Sequence, residues 1–559
     1  MAKLGVRALA LLVAALSMFA IAACGGDDDD DNGGGGSSGG EAKSGGSITI
    51  SQTSQPDFLD PALTYTVNGI EPLWLVYTPL LTYKHAEGEE GQQLIPGVAE
   101  DLPKISKDGK TYELTVRKGL KYSDGSPVKA SDFEHAVKRV LNLESGGSAF
   151  FYPIEGAQAY LEGGKPDADI PGIVTDDESG KITIKLTESD GSFSNVLAMW
   201  FGAPVKGDTP FKNLTEDPPP GVGPYKVTKS VPNREFVLEK NKFFDIPGIP
   251  KGNVDKITTK IIKSAQRQAQ DVISGELDYM QDPPPADIKP EVKAKYSDRY
   301  KEIPTASTYY MFMNNRIPPF DKKEVREAVN YGLDKPALAR LFAGEVQPGC
   351  SFLPPGMPGY DEALDVEDCP WGNPNEPPDL EKARQMIKDA GVDGAKVTVW
   401  GNNDDPTDKV TEAYADQLNK MGFDATPKII DGGVYFQTIG NEKTKVQTGF
   451  ANWFADFPHP KNFMFLVDGK SIQPTNNQNY GNVDDPEITS GIAKLNQLPI
   501  DDETTAEWTK LNDEVVERAW VAPYGHRKLA TFLSERMDFD NCALFHPVYF
   551  NDYSSFCLK

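Results

Sequence analysis

Between Lys396 and Ile430 the chain reads as a strand, a helix and a second strand, and this unit constrains the fold more than any other stretch. "KVTVW" (Lys396–Trp400) is apolar and rich in valine. Val410, Ala413, Tyr414, Leu418 and Met421 then recur at the spacing of one helical face, and Gly422 ends the helix. "TPKII" follows as a second strand. Two strands joined by a helix of this length form a parallel, right-handed crossover, so the expected class is α/β.

Other stretches fit that class. "GGSITISQ" reads as a short strand running into the proline-punctuated "PDFLDPALTY". After a turn at Asp108-Gly109, Tyr112, Leu114 and Val116 alternate on one face of a half-buried strand. Ser131 and Glu134 have capping-box spacing ahead of an apolar stripe of Phe133, Ala136, Val137, Val140 and Leu141. Strands are expected at Tyr225–Val227 and Glu235–Glu239, and helices at Ala265–Ser274, over "DKKEVREAVNYGL" and at Glu503–Trp520. The tail from Pro523 is strand-like, and no internal repeat is present.

The N-terminus limits where the chain works. Lys3 and Arg7 precede an apolar run from Ala8 to Ala23, then "IAACGG". A basic start, a short apolar core and small residues at a cleavage point describe a secretory signal. A run of about 16 residues is short for a membrane span of about 20. Ile21-Ala22-Ala23-Cys24 looks like a bacterial lipobox, with Cys24 as the lipidated residue of a mature chain. The glycine, serine and aspartate of residues 24–46 bury no apolar surface, so this segment is read as a disordered tether of about 25 Å r.m.s. span.

Five cysteines are present. Setting Cys24 aside leaves Cys350, Cys369, Cys542 and Cys557, an even number in an exported chain. Of the three connectivities, the local one, Cys350–Cys369 with Cys542–Cys557, is the economical expectation. The net charge of −26 makes nucleic acid a poor partner. Enzyme and metal signatures are missing: no GxSxG elbow, no HExxH, and no ligand spacing among His85, His135, His459, His526 and His546. Lys104 stands where a P-loop before Gly109-Lys110-Thr111 needs its first glycine. Neither a catalytic site nor a cofactor or metal is expected.

One segment stands out. "NWFADFPHPKNF" sets the carboxylate of Asp456 among Trp453, Phe454, Phe457 and Phe463. A charge in such company needs a partner. The ordinary alternatives are a salt bridge to a lysine such as Lys461, or a turn cap.

Several longer stretches occur in a telling order. They are "VYTPLLTY", "LIPGVAEDLPKISKDGKTYELTVRKGLKYSDGSPVKASDFEHAVKRVL", "GVGPYKV", "VISGELDYM", "NNRIPPFDKKEVREAVNYGLDK" and "DLEKARQMIKDAG". Each alone is weak; as an ordered set from about residue 46 to the C-terminus they resemble the family 5 extracellular solute-binding proteins of ABC importers, which include dipeptide- and oligopeptide-binding proteins.

The resemblance implies a two-lobed periplasmic-binding-protein-like α/β fold (type II, large peptide-binding class) with an extra subdomain in the first lobe. Lobe I would comprise residues 47–72, 203–308 and 524–559, the subdomain 73–202 and lobe II 309–523, with a hinge near Thr308–Tyr309 and Pro523–Tyr524. It implies a monomeric, lipid-anchored receptor, not an enzyme, that captures short peptides and delivers them to membrane permease subunits. The same-class alternative is another cargo: a metal chelate, an oligosaccharide or an opine-like solute. A secreted hydrolase is a distant one.

By the same resemblance, Asp456 pairs with a peptide's α-ammonium. Backbone groups of Asn452 and Phe454 pair with the ligand backbone, and Trp453 walls a pocket. Phe151 and Tyr152 match a region that reaches the cleft in relatives, and Tyr435 is a looser candidate. One departure concerns the peptide's carboxylate. Oligopeptide binders place arginines shortly before the tryptophan, whereas "GNEKTKVQTGFANW" has none, leaving Lys443 and Lys445 as substitutes.

Overall fold

The strand–helix–strand unit forms as its periodicity demands. In the computed structural model, which describes residues 44–163 and 166–559, Lys396–Asn402 and Asp424–Ile430 pair in parallel from Lys396 opposite Asp424 to Asn402 opposite Ile430. The helix between them, Thr407–Met421, buries Val410, Tyr414, Leu418 and Met421. Gly422 stops it at φ +119°, where a Cβ would lie 2.5 Å from Asp393 Oδ1, so both conformation and space call for glycine. The signal segment, Cys24 and the tether as far as residue 43 lie outside the described residues. No helix among the described residues is long and apolar enough to cross a membrane.

Three sheets organise the chain. A five-stranded sheet runs in the order Tyr279–Met280, Ser47–Gln52, Lys256–Ile261, Glu235–Lys240, Tyr225–Val231, with its first three strands parallel. A four-stranded antiparallel sheet comprises Lys104–Ile105, Thr111–Thr115, Lys181–Lys185 and Ile173–Asp176. The third, seven-stranded and mixed, holds the strand–helix–strand unit together with Tyr300–Pro304, Val521–Phe532, Ser307–Met313 and Thr448–Phe454; Val346–Pro348 adds to Val521–Phe532.

Each sheet has its own core, because each has one or both faces apolar. Ile48, Ile50, Leu238 and Ile257 pack with Tyr553 and Phe556 from the tail. Tyr112 and Leu114 pack with Phe133, Val137, Ile182 and Ile184. The seven-stranded sheet buries Met311, Phe312, Val399 and Phe450 against Val325, Val329 and Leu418.

Strand Val521–Phe532 ties two of these bodies together. Its first half pairs with Ser307–Met313 and its second half with Tyr300–Pro304, while Leu533 bridges to Tyr279 of the five-stranded sheet. The two disulfides are local, Cys350–Cys369 and Cys542–Cys557, with Cα separations of 5.9 and 5.6 Å.

One capping expectation is corrected. Helix Ser131–Asn142 has no capping box: the Ser131 amide and hydroxyl both donate to Asp177, at 2.9 and 3.0 Å. Glu134 instead pairs with Lys138 at 2.8 Å. A distant carboxylate satisfies the helix end more strongly than the neighbouring glutamate would. A true capping box occurs at Asp501 and Thr504, whose threonine at the third position hides it from a search for Glu or Gln.

Candidate functional site

Strand Thr448–Phe454 lies antiparallel beside Ser307–Met313, with Tyr309 opposite Asn452 and Ser307 opposite Phe454. Peptide groups of successive residues point to opposite edges of such a strand. The Ala455 amide donates to Ala306 O and the Asn314 amide to Gln447 O, both at 2.8 Å. Odd-numbered residues from 447 to 455 therefore face Ser307–Met313, and Phe450, Asn452 and Phe454 face away. On that far side Lys396–Asn402 pairs only as far as Gly449. The Tyr435 hydroxyl covers Phe450 O at 2.8 Å, and among the described residues no backbone group pairs with the strand edge beyond it. Asn452 and Phe454, both half-buried, present their peptide groups there. An extended ligand can add to such an edge without any side chain being read.

Asp456 sits just past the end of this strand and is only 9% exposed. Asn462 holds it from two directions. The Asn462 amide nitrogen donates to Asp456 Oδ2 at 2.8 Å, while its Oδ1 accepts the Asp456 amide at 2.9 Å and Trp453 Nε1 at 3.1 Å. Tyr65, which lies 391 residues earlier in the chain, donates its hydroxyl to Oδ2 at 3.3 Å. Among the described residues no cation pairs with this carboxylate. Lys461, the obvious candidate, spends its ammonium on Asp190 at 2.6 Å. Burial therefore pushes the Asp456 carboxyl from 3.8 up to about 7, with the bonds from Asn462 and Tyr65 pulling the other way.

Aromatic rings pack around Tyr65 and around the segment that carries this carboxylate. Tyr65 meets Phe201 and Phe150 edge-on at 5.5 and 6.5 Å, and Phe150 meets Phe457 at 6.0 Å. Trp453 lies edge-on to Phe465 at 5.1 Å. Phe454 contacts Tyr309 at 6.2 Å and Phe550, from the C-terminal tail, at 6.0 Å. Tyr65, from a sequence-distant segment, thus reaches Asp456 itself, while Phe150 and Phe550 pack on its chain neighbours Phe457 and Phe454. Beside them the Lys461–Asp190 pair and the Gly191 amide bonded to Asn496 O at 2.6 Å join the four-stranded-sheet body to the seven-stranded one.

The structure brings Asn452, Trp453, Phe454 and Asp456 together and corrects other expectations. Phe151 is fully buried in the core of the four-stranded-sheet body, and Tyr435 is fully buried with its hydroxyl spent on backbone carbonyls. Both are packing residues, because a large ring without exposed surface has no face left for a ligand. Tyr152 is half-buried against the same core as Phe151 and makes no hydrogen bond to the site. Lys443 and Lys445 are exposed just before strand Thr448–Phe454, at the end opposite Asp456. Tyr65 and Asn462 were not among the expected site residues. Tyr65 falls in a proline-rich loop with no periodicity; Asn462 carried a usable signal, as an amide six residues beyond a carboxylate in an aromatic segment. A separate cavity of about 500 Å³, among Gln55–Asp57, Leu59, Lys212–Asp217 and Ser230–Asn233, does not include Asp456.

Residues 93–474, more than half of the chain, match the family described as bacterial extracellular solute-binding proteins, family 5 (middle region). The chain belongs to this family. It is 28% identical over 408 residues to the oligopeptide-binding protein OppA of Bacillus subtilis (strain 168), covering 70% of this chain and 72% of that one. It is 25% identical over 441 residues to the dipeptide-binding protein DppE of the same organism, covering 76% and 77%. Among solved structures, clavulanic acid biosynthesis oligopeptide binding protein 2 superposes with a TM-score of 0.83 at 25% identity, over 92% of this chain and 96% of that one. As a family 5 solute-binding protein, the chain has a two-lobed α/β fold and is a binding protein, not an enzyme. Members of the family are extracytoplasmic partners of ABC importers.

Proposed function

We propose that this family 5 protein captures short peptides outside the cytoplasm, closes over them by a hinge, and delivers them to the permease subunits of an ABC importer. The observation that carries the proposal is Asp456: a buried carboxylate, hydrogen-bonded but with no cation partner among the described residues, at the end of a strand edge that those residues leave unpaired. An ammonium arriving with a ligand supplies the missing charge, and the free peptide groups of Asn452 and Phe454 align the chain that follows it. Trp453, fixed by Asn462, walls the amine end. The relatives named as oligopeptide- and dipeptide-binding proteins support the same cargo class.

The lobes proposed are residues 47–72, 203–308 and 524–559 for the first, 73–202 for its subdomain, and 309–523 for the second. In support, one core cluster runs from Tyr309 to Ala522 and takes in Tyr524 at the boundary, and another combines Ile48–Leu59, Ala203–Tyr279 and Leu533–Phe556, joined by Leu73–Tyr77 from the start of the subdomain. Strands Ser307–Met313 and Val521–Phe532 are the crossing segments that would bend. The receptor is a monomer anchored through a lipid on Cys24, with the acidic tether holding the body off the membrane; the signal-like N-terminus supports this. Energy for uptake comes from a separate ATPase.

Calorimetry with di- to pentapeptides and their N-acetylated counterparts tests the proposal. Acetylation should weaken binding by at least about 30-fold, since leaving a buried charge unpaired costs about 2–5 kcal/mol. Equal affinity for free and acetylated peptides would contradict it.

A further inference from the structure

Tyr65 reaches Asp456 from a loop whose shape is set by a second carboxylate. Asp57 Oδ1 accepts the Phe58 amide and the hydroxyls of Thr64 and Thr66, each at 2.9 Å; Oδ2 accepts the Tyr65 amide at 2.7 Å. Four donors within ten residues fold the segment onto one side chain. Gly69 permits this, because a Cβ there would stand 2.1 Å from Thr64 Oγ1. The loop is fixed from outside as well: Trp200 Nε1 donates to Thr64 O at 2.9 Å, and Asp60 forms a two-pronged buried pair with Arg139 at 2.9 and 2.7 Å. The Tyr65 ring packs against Phe201 and Phe150, and its hydroxyl reaches Asp456 Oδ2.

We propose that Asp57 is a positioning residue of the ligand site: by gathering residues 57–66 it sets the Tyr65 hydroxyl on Asp456 Oδ2, and so tunes how strongly Asp456 holds a cationic ligand. The last clause rests on the peptide-capture reading; the positioning itself does not. Among the described residues Asp57 makes no hydrogen bond to Asp456. It acts on Asp456 through Tyr65 alone, leaving Asp456 Oδ1 as the oxygen that meets the cation.

The test reads Asp456 directly. The titratable groups facing it are the hydroxyls of Tyr65, Tyr83 and Tyr549, while Lys461 and Asp190 pair with each other. Infrared difference spectra of the ligand-free full chain follow the protonated-carboxyl band that disappears in Asp456→Asn. Removing the Tyr65 hydroxyl with Tyr65→Phe deletes a bond to the ionised form and should raise the midpoint by about 0.5–1 pH unit. Asp57→Asn sets an amide where a carboxylate oxygen took an N–H, and should shift the midpoint the same way. The double variant should go no further than Tyr65→Phe. Should Asp57→Asn fail to fold, Thr66→Val, which removes one of the four donors, should give a smaller shift in the same direction. A wild-type midpoint in both the Asp57 and Thr66 variants, or shifts that add in the double variant, would overturn the proposal. Peptide binding is measured in parallel on the same proteins. A chain that binds no amine-bearing peptide yet shows the coupled midpoints refutes the cargo and leaves the role of Asp57 standing.

Discussion

Replacing Asp456 by asparagine should make the ligand-free protein more stable at pH 8 while abolishing capture of amine-bearing peptides. The carboxyl titrates at 3.8 when unhindered and at about 7 in the folded chain, because burial outweighs the bonds from Asn462 and Tyr65. Its folded value is the higher one, so its stabilising contribution is fully present only below about pH 4. That contribution is lost as the pH rises toward 7. Between those limits the wild type loses about 4 kcal/mol. Asparagine is neutral throughout and keeps an oxygen for Asn462 and Tyr65, but adds an unpaired amide N–H costing about 1 kcal/mol. The variant should therefore lead by about 3 kcal/mol at pH 8 and be level with or slightly below wild type at pH 4. Urea unfolding of ligand-stripped proteins at pH 4, 6 and 8 measures this difference. Glu71, pushed up to about 7 by burial, titrates in both proteins and cancels. A difference that does not change with pH, or a variant less stable than wild type at pH 8, would mean that burial does not destabilise the ionised Asp456 carboxylate.

Three further outcomes follow from the contacts between bodies and within them. Asp190→Asn removes the ion pair with Lys461 that joins two bodies beside the site, and should speed ligand release about 10-fold in stopped-flow measurements, equivalent to about 1.4 kcal/mol. Arg139→Met leaves the fully buried Asp60 without its partner and should cost about 3–5 kcal/mol of stability, read from the denaturation midpoint. Cys542→Ser with Cys557→Ser opens a 15-residue loop in the C-terminal tail and should cost about 3 kcal/mol by the same measure.

What was legible in the sequence was whatever repeats locally. The stripe Val410–Met421 fixed a helix, the flanking valines and isoleucines fixed strands, and their spacing fixed a parallel crossover. The four cysteines paired locally because short separations bring the Cα atoms to about 6 Å without help from the rest of the fold. Asp456 was legible for a different reason: a carboxylate among four aromatic residues breaks the local pattern. Its neighbours were not. Tyr65, Phe150 and Phe550 reach the site from distant segments, and no local spacing encodes that approach. Phe151 shows the converse limit. It adjoins Phe150, whose ring does face the site, yet one residue's rotation about a short helix puts it in the core instead. The N-terminal cap of Ser131–Asn142 failed for the same reason, since Asp177 comes from another strand's turn.

The most direct test of the account is native mass spectrometry of the protein as purified, followed by release and identification of whatever remains bound. The wild type should carry a ladder of short-peptide masses that is absent from Asp456→Ala. A single non-peptide mass, retained in Asp456→Ala, would contradict the amine-anchored capture of peptides.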